Sequence, residues 1–235
     1  MSQIITLGGG GFSMEPNNPL LDKYILTQSI KSNPEVCFLP TASGDSESYI
    51  SNFYSFFEKL DCNPSHLSLF NPQTKNLEDF ILKKDIIYVG GGNTKNLLAI
   101  WKDWGLDVIL RRAWDQGVIL AGISAGSLCW FEEGVTDSFG DGLEPIKCLG
   151  FLKGSNCPHY DGEFDRRPSY HKLISSGLIK NGLAIDDGVG VHFVEQNISN
   201  IVSSRPNGKA YTVQYLDNKI VEIELQVDYL GCISS

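Results

Sequence analysis

The sequence has no apolar run of about 18 residues, so no segment is expected to span a membrane. Its first residues, Met-Ser-Gln-Ile-Ile-Thr-Leu-Gly, lack the basic segment and long apolar stretch of a secretory signal, which predicts a cytoplasmic protein. Cysteines are few and scattered, at 37, 62, 129, 148, 157 and 232. None forms a C-x-x-C pair, which argues against zinc and dithiol redox chemistry. Without export, reduced thiols are expected, and Cys37, within Val36-Cys-Phe-Leu39, reads as a small core hydrophobe. Basic residues are outnumbered, 19 against 28, for a formal charge of −9. That disfavours nucleic acid as the main partner, because phosphate binding needs concentrated Lys and Arg. The glycine runs Gly8–Gly11 and Gly90–Gly92 lack the Lys of a phosphate-binding loop. There is neither an internal repeat nor a low-complexity linker.

What is present is an alternation of short apolar runs with helical patterns. Ile4–Leu7, Val36–Leu39, Asp85–Gly90 and Val118–Gly122 read as buried strands, and His66–Phe70 as another. Helical spacing is predicted over 20–32, 49–60, 94–103 and 106–116, and from the serine turn at 123–126 to about Phe131. This predicts an α/β fold, a three-layer sandwich with a mostly parallel central sheet flanked by helices, in one domain over residues 1–235. Sites in such sheets lie beyond the carboxyl ends of the strands, here loops 8–11, 40–46, 90–94 and 122–127. Residues 132–170 read as turn-rich and irregular. The runs after 182 alternate and predict an antiparallel edge or a small second sheet.

Gly122-Ile-Ser124-Ala-Gly126 matches the G-x-S-x-G nucleophile elbow, with a strand predicted before it and a helix after it. A nucleophile on so tight a turn adopts an unfavourable backbone conformation, and its neighbours must be tiny for strand and helix to pass. The bland alternative is a serine N-cap. Ala125 N–H is the natural first oxyanion donor, and Gly91 or Gly92, in the turn after the preceding strand, the second. Asn93 and Thr94, next to that turn, are candidate substrate contacts or plain helix caps. A serine hydroxyl needs a base. Of the four histidines, His66 and His192 fall in predicted strands and His171 in a predicted helix. His159 lies in the irregular Cys157-Pro-His-Tyr-Asp161, and loops favour catalytic groups. The acid that orients it has seven candidates: Glu132, Glu133, Asp137, Asp141, Glu144, Asp161 and Glu163.

Taken together, Gly122-Ile-Ser-Ala-Gly126, Gly90-Gly-Gly-Asn-Thr94 and Cys157-Pro-His159 resemble the peptidase E (aspartyl dipeptidase) family of serine peptidases over most of residues 1–200. The resemblance implies a fold like that of class I glutamine amidotransferases, with Ser124 as nucleophile and His159 as base. The acid position best matches Asp137, with Glu133 and Glu163 as alternatives. Family enzymes cleave Asp-X dipeptides, and an arginine downstream of the histidine binds the aspartate; Arg166 and Arg167 occupy that region in a different local sequence. The expectation is a serine peptidase acting on small peptides through an acyl-enzyme, with no metal or cofactor and a homodimer left open. The rivals are an esterase, amidase or isopeptide hydrolase using the same site, and a non-catalytic small-molecule binder.

Overall fold

The computed structural model describes residues 1–231; Cys232 lies outside the described residues. Among them are fourteen strands: β1 Gln3–Leu7, β2 Glu35–Leu39, β3 Asn63–His66, β4 Ile86–Val89, β5 Ile119–Ile123, β6 Phe131–Thr136, β7 Glu144–Lys147, β8 Leu152–Cys157, β9 Gly182–Ile185, β10 Val189–Val194, β11 Asn197–Ser203, β12 Ala210–Leu216, β13 Lys219–Glu224 and β14 Asp228–Tyr229. The α-helices are α1 Gly11–Met14, α2 Leu20–Thr27, α3 Glu47–Phe57, α4 Leu77–Leu82, α5 Thr94–Asp103, α6 Leu106–Asp115, α7 Ala125–Leu128 and α8 Arg166–Ser175.

The main sheet has eight strands in the order β14-β11-β10-β1-β5-β4-β2-β3. From β1 to β3 all neighbours are parallel, and β10 joins the far side of β1 antiparallel. Alternation along each parallel strand loads both faces. Ile5, Phe38, Tyr88 and Ala121 pack under α1, α2 and α3 with Phe12, Leu21 and Phe53. Ile4, Cys37, Ile87 and Leu120 face the opposite way, toward Leu97, Trp101 and Leu110 of α5 and α6. Each buried Ile, Leu or Phe among them contributes roughly 1.5–3 kcal/mol, and burial on both faces is why these strands read as continuous apolar runs. The structure is thus α/β, with helices on both faces of a largely parallel sheet.

A second, six-stranded sheet runs β13-β12-β9-β8-β6-β7 and mixes parallel with antiparallel pairs. Its Leu152, Leu183 and Ala210 join the same apolar core as Ile4 and Leu120 of the first sheet. Three expectations need correction here. Residues 132–170 hold strands β6, β7 and β8 rather than only turns. The helix after Ser124 is a single turn, because Trp130 and Phe131 are fully buried where the chain leaves to begin β6. His66 ends β3 instead of opening a strand, and its ring is held by Tyr54 and Gln73.

Candidate active site

The carboxyl end of β1 supports the site. Ser124 directly follows β5, and its N–H donates to Leu7 O at 3.1 Å. The His159 N–H donates to Gly8 O at 3.2 Å. Asp187, in the turn between β9 and β10, bridges to Gly9, whose carbonyl accepts Gly188 N–H at 3.0 Å. Three consecutive backbone positions therefore carry a hydroxyl, an imidazole and a carboxylate.

The local conformations fit that arrangement. Ser124 sits at φ 57°, ψ −112°, a strained region for a residue with a Cβ. Such strain persists where the surroundings enforce it. Here the bond to Leu7 holds the amino side, while Ser127 and Leu128 N–H groups hold the Ser124 carbonyl. A Cβ at Gly122 would strike the Gly126 backbone, and one at Gly126 the Val89 backbone, so both positions must be glycine. His159 also has positive φ, at 54°.

His159 Nδ1 is 2.6 Å from Asp187 Oδ1, and the pair is largely buried. Burial pushes the Asp187 carboxyl up, but the His159 hydrogen bond and charge, with Arg205 and Arg166 farther off, bring it below the ordinary Asp range. Asp187 N–H is itself fixed by Asp161 Oδ1 at 2.8 Å. The expectation for Asp137 is corrected by this geometry. Asp137 is exposed at the end of β6, with Arg166 Nη2 3.8 Å away. The alternatives are engaged elsewhere. Glu133 is buried against Lys147 and accepts Lys180 N–H, and Glu163 pairs with Arg166 at 2.6 Å. Asp187 lies 24 residues beyond Glu163, the last of the acids expected from sequence. The signal that points to it is an Asp-Gly turn closing directly onto the glycine run of β1.

Around the serine, Gly91 lies close: a Cβ there would be 3.3 Å from Ser124 Cβ and 3.8 Å from its Oγ. The Gly91 N–H, however, donates to the Tyr49 hydroxyl at 3.2 Å. Gly92 has φ 135° and, among the described residues, no acceptor for its N–H. Ala125 N–H belongs to the first turn of α7, whose donors a helix leaves unpaired. Asn93 caps α5 through its Oδ1 on Asn96 N–H at 2.8 Å, and its Nδ2 donates to Ser138 O. Thr94 is buried, with its N–H on Ser138 Oγ. Arg166 is buried, donating to Glu163 and to Val135 O. Arg167 forms a two-point pair with Glu222 and lies over the rings of Tyr160 and Tyr211. Both guanidiniums are thus engaged by the protein's own carboxylates. Of the other histidines, His192 is buried between Tyr24 and Gln3, and His171 binds Tyr160 and Glu222. No three His, Cys, Asp or Glu side chains among the described residues are grouped to hold a metal. A cleft of about 650 Å³ lined by Lys23, Ile30, Pro34 and Lys59 lies away from this chemistry, near the amino end of β2.

Residues 4–201 match the sequence profile of peptidase family S51. An uncharacterized peptidase, YgaJ, of Bacillus subtilis strain 168 is 60% identical over 231 residues, covering 98% of this chain and 100% of that protein. Two solved structures share the fold. A peptidase from an acI-B1 actinobacterium has a TM-score of 0.70 at 16% identity, covering 97% of this chain and 95% of that one. A Listeria monocytogenes EGD-e protein provisionally identified as peptidase E has a TM-score of 0.59 at 18% identity, covering 96% and 100%.

Proposed function

We propose, since the chain belongs to peptidase family S51 and is a serine-type peptidase, that it hydrolyses small peptides through Ser124, His159 and Asp187. The observation that carries this reading is the attachment of the three residues to Leu7, Gly8 and Gly9, together with the 2.6 Å His159–Asp187 contact. Asp187 accepts the Nδ1–H of His159, which leaves Nε2 as the lone-pair nitrogen and makes it the base. His159 removes the Ser124 hydroxyl proton as Oγ attacks the peptide carbonyl. The C–O bond forms while the carbonyl pair moves onto oxygen, where Ala125 and Gly92 N–H groups stabilise it. His159 then protonates the departing amine as the C–N bond breaks. Water, deprotonated by the same ring, releases the acyl group and regenerates Ser124.

The substrate within the peptide class is a finer matter. The resemblance to peptidase E implies Asp-X dipeptides as substrates, yet Arg166 and Arg167 are already paired with Glu163 and Glu222. An incoming aspartate must displace one of these partners or go without a counter-ion. The pairing therefore favours small peptides with neutral side chains over Asp-X. Purified wild type and Ser124→Ala are to be assayed on Asp-X, Ala-X and Leu-X dipeptides and simple aryl esters, and labelled with a fluorophosphonate. Wild type should hydrolyse dipeptides and be labelled at Ser124, and Ser124→Ala should lose both. Retained turnover in that variant would sink the reading, and turnover of esters alone would favour the esterase alternative.

A further inference from the structure

Three consecutive glycines, Gly90–Gly92, form the wall of the site beside Ser124. Glycine loses more conformational freedom on folding than any other residue, so such a run holds a catalytic geometry only if neighbours fix it. Its two ends are fixed by backbone: Gly90 N–H donates to Leu39 O at 3.1 Å, and Asn93 N–H to Ala42 O at 2.8 Å. The middle has a different support, the side chain of Tyr49 in the first turn of α3. Its hydroxyl accepts the Gly91 N–H at 3.2 Å. The ring cannot swing away. Its centroid lies 5.0 Å from Phe38 and 5.5 Å from Phe12, and a Cβ on Gly90 would be only 2.9 Å from Tyr49 Cε1. Burial pushes the Tyr49 phenol pKa up, so the oxygen stays a neutral hydroxyl.

We propose that Tyr49 is a positioning residue for acyl transfer: by holding the Gly91 N–H, its hydroxyl sets the glycine turn so that the Gly92 N–H points at the oxyanion. The inference rests on the triad reading above and adds a residue that touches no reacting atom. The Gly91 N–H, beside Ser124 but already bonded, is withdrawn from direct duty. The Gly92 N–H, with no acceptor among the described residues, is left for the charge that develops on the substrate. Displacing a catalytic group by about 1 Å can cost about a hundredfold in rate, so a looser turn should show in the chemical step.

The test is the rate of labelling by a fluorophosphonate, whose phosphoryl oxygen takes the oxyanion position as fluoride leaves, resolved into its saturation constant and its limiting rate. Tyr49→Phe keeps the ring and removes only the hydroxyl. The limiting rate should fall about 10- to 100-fold, with the saturation constant within about twofold of wild type. A loss confined to the saturation constant would mean a binding role and overturns the proposal. An unchanged rate overturns it too. A faster rate would mean that the freed Gly91 N–H is the better donor, and it has the same consequence. Should Tyr49→Phe fail to fold by circular dichroism, Tyr49→Met provides the same measurement. Ser124→Ala, run in parallel, separates the two ideas. If that variant is still labelled, the triad reading fails. If it is not, and Tyr49→Phe matches wild type, only the Tyr49 assignment fails.

Discussion

Asp187 has no contact with the substrate in the proposed cycle; it works on the far side of the imidazole. Its carboxylate selects the tautomer of His159 and offsets the charge the ring gains at the transition state. Asp187→Asn keeps the size and hydrogen-bonding reach of the side chain but favours the wrong ring tautomer. It is expected to lower kcat/KM by about 10³–10⁴-fold with the fold intact. Asp137→Asn, altering an exposed carboxylate whose nearest partner is Arg166, should stay within about threefold. Dipeptide hydrolysis by the two purified variants measures both, and the reverse order would restore Asp137 as the acid. Ser124 is legible as the candidate nucleophile because a nucleophile elbow needs its two glycines within five residues. His159 is legible as the candidate base by elimination among four rings and by its loop setting. Asp187 is not, because only the antiparallel register of β1 with β10, 183 or more residues apart in sequence, carries the β9–β10 turn to the ring.

At the scale of elements, the crossing of β5, α7 and β4 sets the tolerance of the site. Gly126 passes against the Val89 backbone and Gly122 against Gly126 itself. Gly126→Ala should therefore destabilise the protein by roughly 1–3 kcal/mol through overpacking, seen as a lower urea midpoint, and should slow serine labelling as β5 and α7 part. A neutral Gly126→Ala would show that the crossing has slack. The parallel strands were legible because helices cover both their faces, which leaves uninterrupted apolar runs. Strands β6 and β8 were not. Their sequences, Phe-Glu-Glu-Gly-Val-Thr and Leu-Lys-Gly-Ser-Asn-Cys, are interrupted by polar residues that find partners only in the fold. Glu133 meets Lys147 and the Lys180 N–H, Ser155 meets Tyr170, and Asn156 meets Ser127. Local pattern cannot distinguish such strands from loops.

Across the whole molecule, one buried acid links stability to pH. Asp22 in α2 is fully buried, neither carboxylate oxygen makes a well-formed hydrogen bond, and burial pushes its pKa up to about 7; the Tyr88 hydroxyl and Phe12 backbone oppose this only in part. A carboxyl raised on folding contributes stability that is full below its unfolded value near 4 and is lost as pH rises toward 7. Asp22→Asn, which never ionises, should gain on wild type by a margin that widens from pH 4 to 7 and is then constant. The margin should reach on the order of a few kcal/mol, followed by urea unfolding across that range. A margin independent of pH would show that Asp22 does not titrate there. The attachment of Ser124, His159 and Asp187 to Leu7, Gly8 and Gly9 has a consequence of its own. Lengthening the exposed tips at 139–142 or 206–207 leaves the spacing of the three groups unchanged. A single residue inserted or deleted between Leu7 and Gly9 shifts one anchor past the others, so the most indel-intolerant point of this peptidase is three residues near its amino end that do no chemistry.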